Sequence, residues 1–254
     1  MYKLLKQKES VLLGLGGILL VLLIWHVVSA LKVISPILLS SPFDVFIELV
    51  SFFKEGSIYP DLFASASEFI IGFAFALFWG LTLGYIVGWY RKIRSTSSVL
   101  IFALYSTPII ALIPLIILWF GFGLWSKVII IFLASFFPIL INVIDAVKNT
   151  DQNLLKLAES YKASDLKTIK EIVIPNSIPN VITGIKIAMP RGLIGMIVGE
   201  FFTGSVGLGY LISYYGATFQ TARLLAVVIL IIIISVFLSF CIDILEKKIK
   251  HWDM

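Results

Sequence analysis

Residues 181–202 read VITGIKIAMPRGLIGMIVGEFF. The stretch is apolar over a length that meets the roughly 20 residues needed to cross the hydrocarbon core of a bilayer. Its charges are Lys186, Arg191 and Glu200. Lys186 lies near one end, where a lysine stem can carry its ammonium to the interface. Arg191 and Glu200 lie deeper, where a charge costs about 2.5–3.5 kcal/mol on insertion scales. Each must therefore meet a partner or an aqueous cavity. The two are about 13 Å apart along a helix axis and roughly half a turn out of phase, so a direct pair on one straight helix is not expected. Glu200, near the outer mouth, is read as a candidate for lining a pathway. Arg191 is such a candidate too, with an ion pair or backbone contact inside a bundle as the equal alternative.

Upstream, residues 150–179 read TDQNLLKLAESYKASDLKTIKEIVIPNSIP, a polar, lysine-rich segment in a chain otherwise built for lipid. Thr150 is expected to cap a helix whose apolar side is Leu154, Leu157, Ala158 and Tyr161, spaced as one face. Ser164 is expected to cap a second helix, DLKTIKEIV, that stops before Pro175. Such a pair either anchors under a bundle or docks a soluble subunit.

Five further apolar stretches, at about 11–31, 64–90, 98–120, 127–147 and 223–242, make six spans in all. The 254-residue chain is 59% hydrophobic and 14% charged, with a mean hydropathy of +1.04. Soluble domains carry a smaller apolar fraction. The first span is longer than the apolar region of a typical signal peptide and is read as retained.

The net charge is +5, but its distribution excludes a nucleic-acid surface. Lys3, Lys6 and Lys8 precede the first span. Arg91, Lys92 and Arg94 follow the second. Lys148, Lys156, Lys162, Lys167 and Lys170 follow the fourth, and Lys247, Lys248 and Lys250 follow the last. Alternating spans put all of these on one side, against Lys32, Lys54, Lys127 and Arg223 on the other. This is the positive-inside pattern, with both termini cytoplasmic. Cys241 is the sole cysteine, and His26 and His251 are isolated from it and from each other. No disulfide, catalytic site or metal site is expected. No phosphate loop occurs, and GSVGLG (204–209) has no preceding strand to make it a dinucleotide fingerprint. It reads as a flexible loop or tight turn.

Ser41-Pro42 marks a helix start, followed by the Phe-rich FDVFIELVSFF, expected to lie along the interface. In the second span Gly72, Ala76, Gly80, Gly84 and Gly88 recur at intervals of four. Residues so spaced share a helix face, a stripe that lets another helix approach closely. Pro108 and Pro114 interrupt the third span, and Pro138 the fourth. Each removes a backbone donor and kinks or breaks its helix. Breaks of this kind persist in bilayers where protein or a water-filled path satisfies the freed groups, which makes Pro108 and Pro114 pathway candidates.

The 150–179 segment resembles the EAA loop of binding-protein-dependent ABC importer permeases, a pattern of E-A-A, three residues, G, nine residues, I, one residue, then L-P. Aligned at Lys156, it brings Ala158, Ile172 and Pro175 into register. Lys156 stands where Glu is usual, Leu157 where Ala is, Lys162 where Gly is, and Ile174 where Leu is. The flanks IVIPNSIPNVITGIKIA, VGEFFTGSVGLGYLI, TPIIALIPLIILWFGFG and FFPILIN resemble the nitrate/sulfonate/taurine permease subfamily. In the second span Glu68 occupies a place where these permeases tend to carry Arg, a sign unsuited to attracting an anion.

The resemblance implies an all-α bundle of six transmembrane helices with type I ABC importer permease architecture. It implies one permease domain over 1–254, with a core of about 60–245 and a coupling loop of about 148–179. The partners it implies are a second, identical permease subunit, two cytoplasmic ATP-binding subunits and an extracytoplasmic solute-binding protein, all at a prokaryotic plasma membrane. Leu154, Leu157, Ala158, Glu159, Tyr161, Lys162, Ala163 and Ser164 would couple to the ATPase. ATP and Mg would belong to that partner, and no cofactor to this chain. The solute would be a nitrate-, sulfonate- or taurine-like anion, a thiamine precursor or a flavin-like compound. A secondary transporter or channel would share the broken helices but would predict inverted repeats, and none is evident. A membrane scaffold would need the glycine stripe but not Arg191 and Glu200.

Overall fold

A computed structural model describes residues 2–250. The side chains of Lys3, Lys6, Lys8 and Lys250, and all of His251, lie outside the described residues. The described chain is helical: α1 Tyr2–Ala30, α2 Pro42–Glu55, α3 Tyr59–Trp89, α4 Arg91–Ser106, α5 Ile109–Phe120, α6 Leu124–Lys148, α7 Gln152–Ser160, α8 Asp165–Thr168, α9 Ile174–Thr203, α10 Leu208–Ala217 and α11 Thr221–Lys250. A π-helical turn, Ile169–Val173, joins α8 to α9. Among the described residues, four helical stretches are long and apolar enough to cross a membrane: Tyr59–Trp89, Leu124–Lys148, Asp165–Thr203 and Thr221–Lys248. Gly16–Ala30 is a shorter apolar helix.

The third expected span departs from a straight helix. Its two halves, α4 and α5, meet at 92°. The break falls at Thr107-Pro108, where both residues have extended backbone. Proline disfavours helical geometry in the residue before it and donates no hydrogen bond. Pro114 and Pro138, by contrast, sit inside α5 and α6 without ending them.

The helix after Ser164 does not stop before Pro175. It continues as one 39-residue rod, Asp165–Thr203. The proline ring would clash with the carbonyl four residues earlier in a regular α-helix, and the wider π turn immediately before it relaxes that crowding. At about 1.5 Å per residue the rod is some 58 Å long, so one end projects well past a hydrocarbon core of about 30 Å.

The chain divides into two compact units, Met1–Tyr59 with Leu211–Ile231, and Pro60–Tyr210 with Ile232–Met254. In the first, Ser41 and Asp44 form a reciprocal capping box at the start of α2, with Pro42 in its first turn. Trp25 Nε1 donates to Ser40 O at 3.0 Å. Phe52 stacks on Tyr215, and Arg223 Nε reaches Glu48 Oε2 at 3.0 Å.

In the second unit α6 is the most enclosed span, packed on one face by α3 and on another by α9. The α3 stripe meets a matching row of branched residues on α6. A Cβ placed at Gly72 would lie 2.7 Å from Ile131 Cβ, at Gly80 2.8 Å from Ile139 Cγ2, at Gly84 2.6 Å from Val143 Cβ, and at Gly88 2.7 Å from Val147 Cβ. Ala76 is fully buried in the same row. The α9 side repeats the device: Gly184 abuts Asn142, Gly192 abuts Ser135, and Gly195 abuts Ala134. Close backbone approach supplies the dispersion contacts that hold helices together where lipid removes the hydrophobic drive.

Candidate functional site

Three regions carry the polar chemistry of the second unit. The first is the turn between α9 and α10. Glu200 is completely buried. Its Oε1 accepts from Ser65 Oγ at 2.5 Å, and its Oε2 accepts from Gly209 N at 2.6 Å. Ser65 Oγ also accepts from Leu208 N at 2.8 Å, and Asp61 Oδ1 accepts from Gly207 N at 2.8 Å. Three side chains thus take the first free backbone donors of α10, which a helix start must satisfy. Gly207 has φ +120°, and a side chain there would collide with the Glu200 carboxyl group. The GSVGLG stretch is therefore a pinned turn and not a flexible loop. Beside it, Lys127 Nζ pairs with Glu68 Oε1 at 2.6 Å and approaches Val206 O at 3.4 Å.

The second region is a cavity of about 170 Å³ between the α4–α5 break, α6 and α9. Ile109, Ile113, Leu133 and Phe137 contribute to its apolar wall, and Arg191 lies at it. The Arg191 side chain is exposed on the chain by itself. Its Nη1 donates to Tyr105 OH at 2.6 Å, and its guanidinium lies 5.2 Å from the Tyr105 ring centroid. Pro108 ends α4 just past Tyr105 and turns α5 away, which places that tyrosine and Ile109 on the same cavity. Arg191 and Glu200 serve different regions, as their helical phase requires. Glu200 is not among the residues lining this cavity; its geometry is that of a helix-start acceptor.

The third region is α7 and the turn after it. Asp151, not Thr150, caps α7, its side chain accepting from Asn153 N at 2.8 Å. Thr150 is buried, and its hydroxyl turns back toward Ala146 O. Thr150, two residues past the end of α6, thus bonds back to a carbonyl of that helix, and Asp151 is left to start α7. Leu154, Leu157 and Tyr161 are exposed, Tyr161 by 80%, whereas Ala158 is buried at 7%. Glu159, Lys162 and Ala163 form the helix end: Lys162 N donates to Glu159 O at 2.8 Å and Ala163 N to Ala158 O at 3.0 Å. This is the Schellman arrangement, whose left-handed position favours glycine. Lys162 occupies it with φ +52°. Ser164 stands at the start of α8 without a side-chain cap bond.

Sequence reasoning missed several partners. Lys186, expected to carry its ammonium to the interface, contacts Glu246 Oε2 and lies 2.5 Å from Asp243 Oδ1 on α11. The α9 glycines at 192, 195 and 199 carried a spacing signal like that of α3. The Glu68–Lys127 pair carried none. Among the described residues no group of three or more His, Cys, Asp or Glu is arranged to hold a metal ion.

A family model described as binding-protein-dependent transport system inner membrane component matches residues 58–251. The chain is 29% identical to the formylaminopyrimidine transport permease protein of Halalkalibacterium halodurans, over 92% of this chain and 93% of the relative. It is 27% identical to the taurine transport system permease protein of Escherichia coli, over 96% and 90% of the two chains. Among solved structures, an inward-facing form of the MetNI methionine ABC transporter is similar in fold, with a TM-score of 0.64 and 17% identity. That match covers 74% of this chain and 93% of the other.

Proposed function

The chain belongs to the binding-protein-dependent transport system inner membrane component family, and from that premise we propose how its parts divide the work of import. It is a permease subunit of an ABC importer, an inner-membrane transport component and not the ATP-hydrolysing one. It works with an ATPase and a binding protein. In our reading two identical copies surround the route, two cytoplasmic ATPase subunits drive it, and an external protein delivers a small organic solute. Both termini and residues 148–179 face the cytoplasm, on the strength of the lysine distribution.

The observation that supports this division is α7. Leu154, Leu157 and Tyr161 leave an apolar face open, at the foot of a rod longer than a membrane is thick. Exposed apolar patches of this kind mark protein contact sites. Seated in a cleft of the ATPase, α7 would pass nucleotide-driven closure through α8 and the π turn into α9, whose far half carries Arg191. Alternating access is then a two-state equilibrium biased from both ends. The relatives' solutes, taurine and a formylaminopyrimidine, make a small sulfonate or a small heterocycle the solute class. Co-purification with an ATPase subunit and a binding protein, followed by ATP-dependent uptake in proteoliposomes, tests the reading. Uptake that proceeds without any ATPase would overturn it in favour of a secondary transporter or channel.

A further inference from the structure

The geometry points to the Arg191–Tyr105 cavity as a binding site for a small organic anion, with its charged head on Arg191 and its apolar body against Ile109, Ile113, Leu133 and Phe137. The inference rests on the permease reading and narrows its solute class.

Arg191 lies about 26 Å of helix rise from Ile174 and about 18 Å from Thr203, inside the apolar part of its span. A charge at that depth needs a counter-charge or water. Among the described residues no carboxylate lies within ion-pair distance of it. The two intramembrane carboxylates of its unit are engaged elsewhere, Glu68 on Lys127 and Glu200 on Ser65 and Gly209. Glu68 therefore does not oppose an anion at this cavity.

Arginine offers five N–H donors in a fixed fork. Tyr105 takes one of them and holds the plane of the group by its ring. The remaining edge is free to grip a sulfonate or carboxylate through two parallel bonds, the geometry at which arginine excels. The wall is otherwise nearly all hydrocarbon, so a bare inorganic anion finds one good contact, and a neutral heterocycle leaves the guanidinium charge uncompensated. The volume, about 170 Å³, compares with the roughly 150 Å³ of an apolar cavity that accepts a benzene-sized guest.

The test is thermal unfolding of the purified permease–ATPase complex with 1-butanesulfonate, sodium nitrate or neutral 4-aminopyrimidine at matched ionic strength. A ligand that binds only the folded state raises the unfolding temperature saturably. The expected result is a saturable rise with butanesulfonate alone. Arg191→Gln should abolish it, Arg191→Lys should weaken the apparent affinity about tenfold or more by losing the fork, and Tyr105→Phe should weaken it less. Should Arg191→Gln fail to fold, Arg191→Lys carries the comparison. An equal rise in Arg191→Gln, a saturable rise with 4-aminopyrimidine alone, or no rise with butanesulfonate in a complex that hydrolyses ATP would each overturn the proposal. Failure of the importer reading shows separately, as a permease that recruits no ATPase. Butanesulfonate titration of the permease alone would still decide the cavity.

Discussion

Lys127 Nζ sits 2.6 Å from Glu68 Oε1, with both side chains buried. The pair ties the Tyr59 end of α3 to the Leu124 end of α6, beside the pinned turn that starts α10. Two charges in a low-dielectric setting are tolerable together and costly apart. Glu68→Gln should therefore lower the stability of the detergent-solubilised protein by roughly 3–5 kcal/mol, because it strands the lysine. The double variant Glu68→Gln/Lys127→Met should recover most of that loss in chemical unfolding. A single variant as stable as the parent would show that the pair is solvated.

Glu200→Gln preserves size and removes charge. The amide oxygen can still accept from Gly209 N, but the amide nitrogen then faces Ser65, whose hydroxyl proton loses its acceptor. An expected loss of about 1–3 kcal/mol follows from an unmet buried group. Uptake should fall in step with folded yield. If transport collapses while the melting temperature holds, Glu200 acts on the solute route and not on the turn.

Glycines in this chain are not interchangeable. Gly84→Ala would drive a methyl to 2.6 Å from Val143 Cβ, and overpacking of this kind costs about 1–3 kcal/mol. Gly16→Ala in α1 meets nothing within 4 Å and should be neutral or stabilising by up to about 1 kcal/mol through helix propensity. Melting curves of the two variants, measured side by side, check the contrast.

Lys162 holds a left-handed backbone at the end of α7, a conformation that costs an L-residue roughly 1–2 kcal/mol. Lys162→Gly should slow amide exchange across residues 153–163. Faster exchange there would mean that the lysine side chain contributes more than its backbone costs.

Leu157 and Tyr161 are open to a partner, while Ala158 packs inward. Leu157→Asp and Tyr161→Asp should weaken pull-down of the ATPase while leaving the permease melting temperature close to the parent's. Ala158→Asp should lower that temperature first, since it buries an unpaired carboxylate. Unimpaired ATPase capture by both exposed-face variants would move the docking surface off α7.

The apolar spans, the glycine row of α3 and the polar 150–179 segment could all be read in the sequence, because each is a local pattern. Hydropathy over about 20 residues decides what enters a bilayer, and spacing by four decides what shares a helix face. The family motif is likewise a run of neighbours. What the sequence could not decide is which distant groups meet. Glu68 and Lys127 are 59 positions apart, and Ser65 and Glu200 are 135 apart. No periodicity links such residues; their meeting depends on how α3, α6 and α9 are registered against one another by their small residues. The same holds for Pro108. Its position announced a break, but the 92° turn that brings Tyr105 to Arg191 is set by the packing of α5 on α6, a tertiary contact that exists only once the helices are assembled.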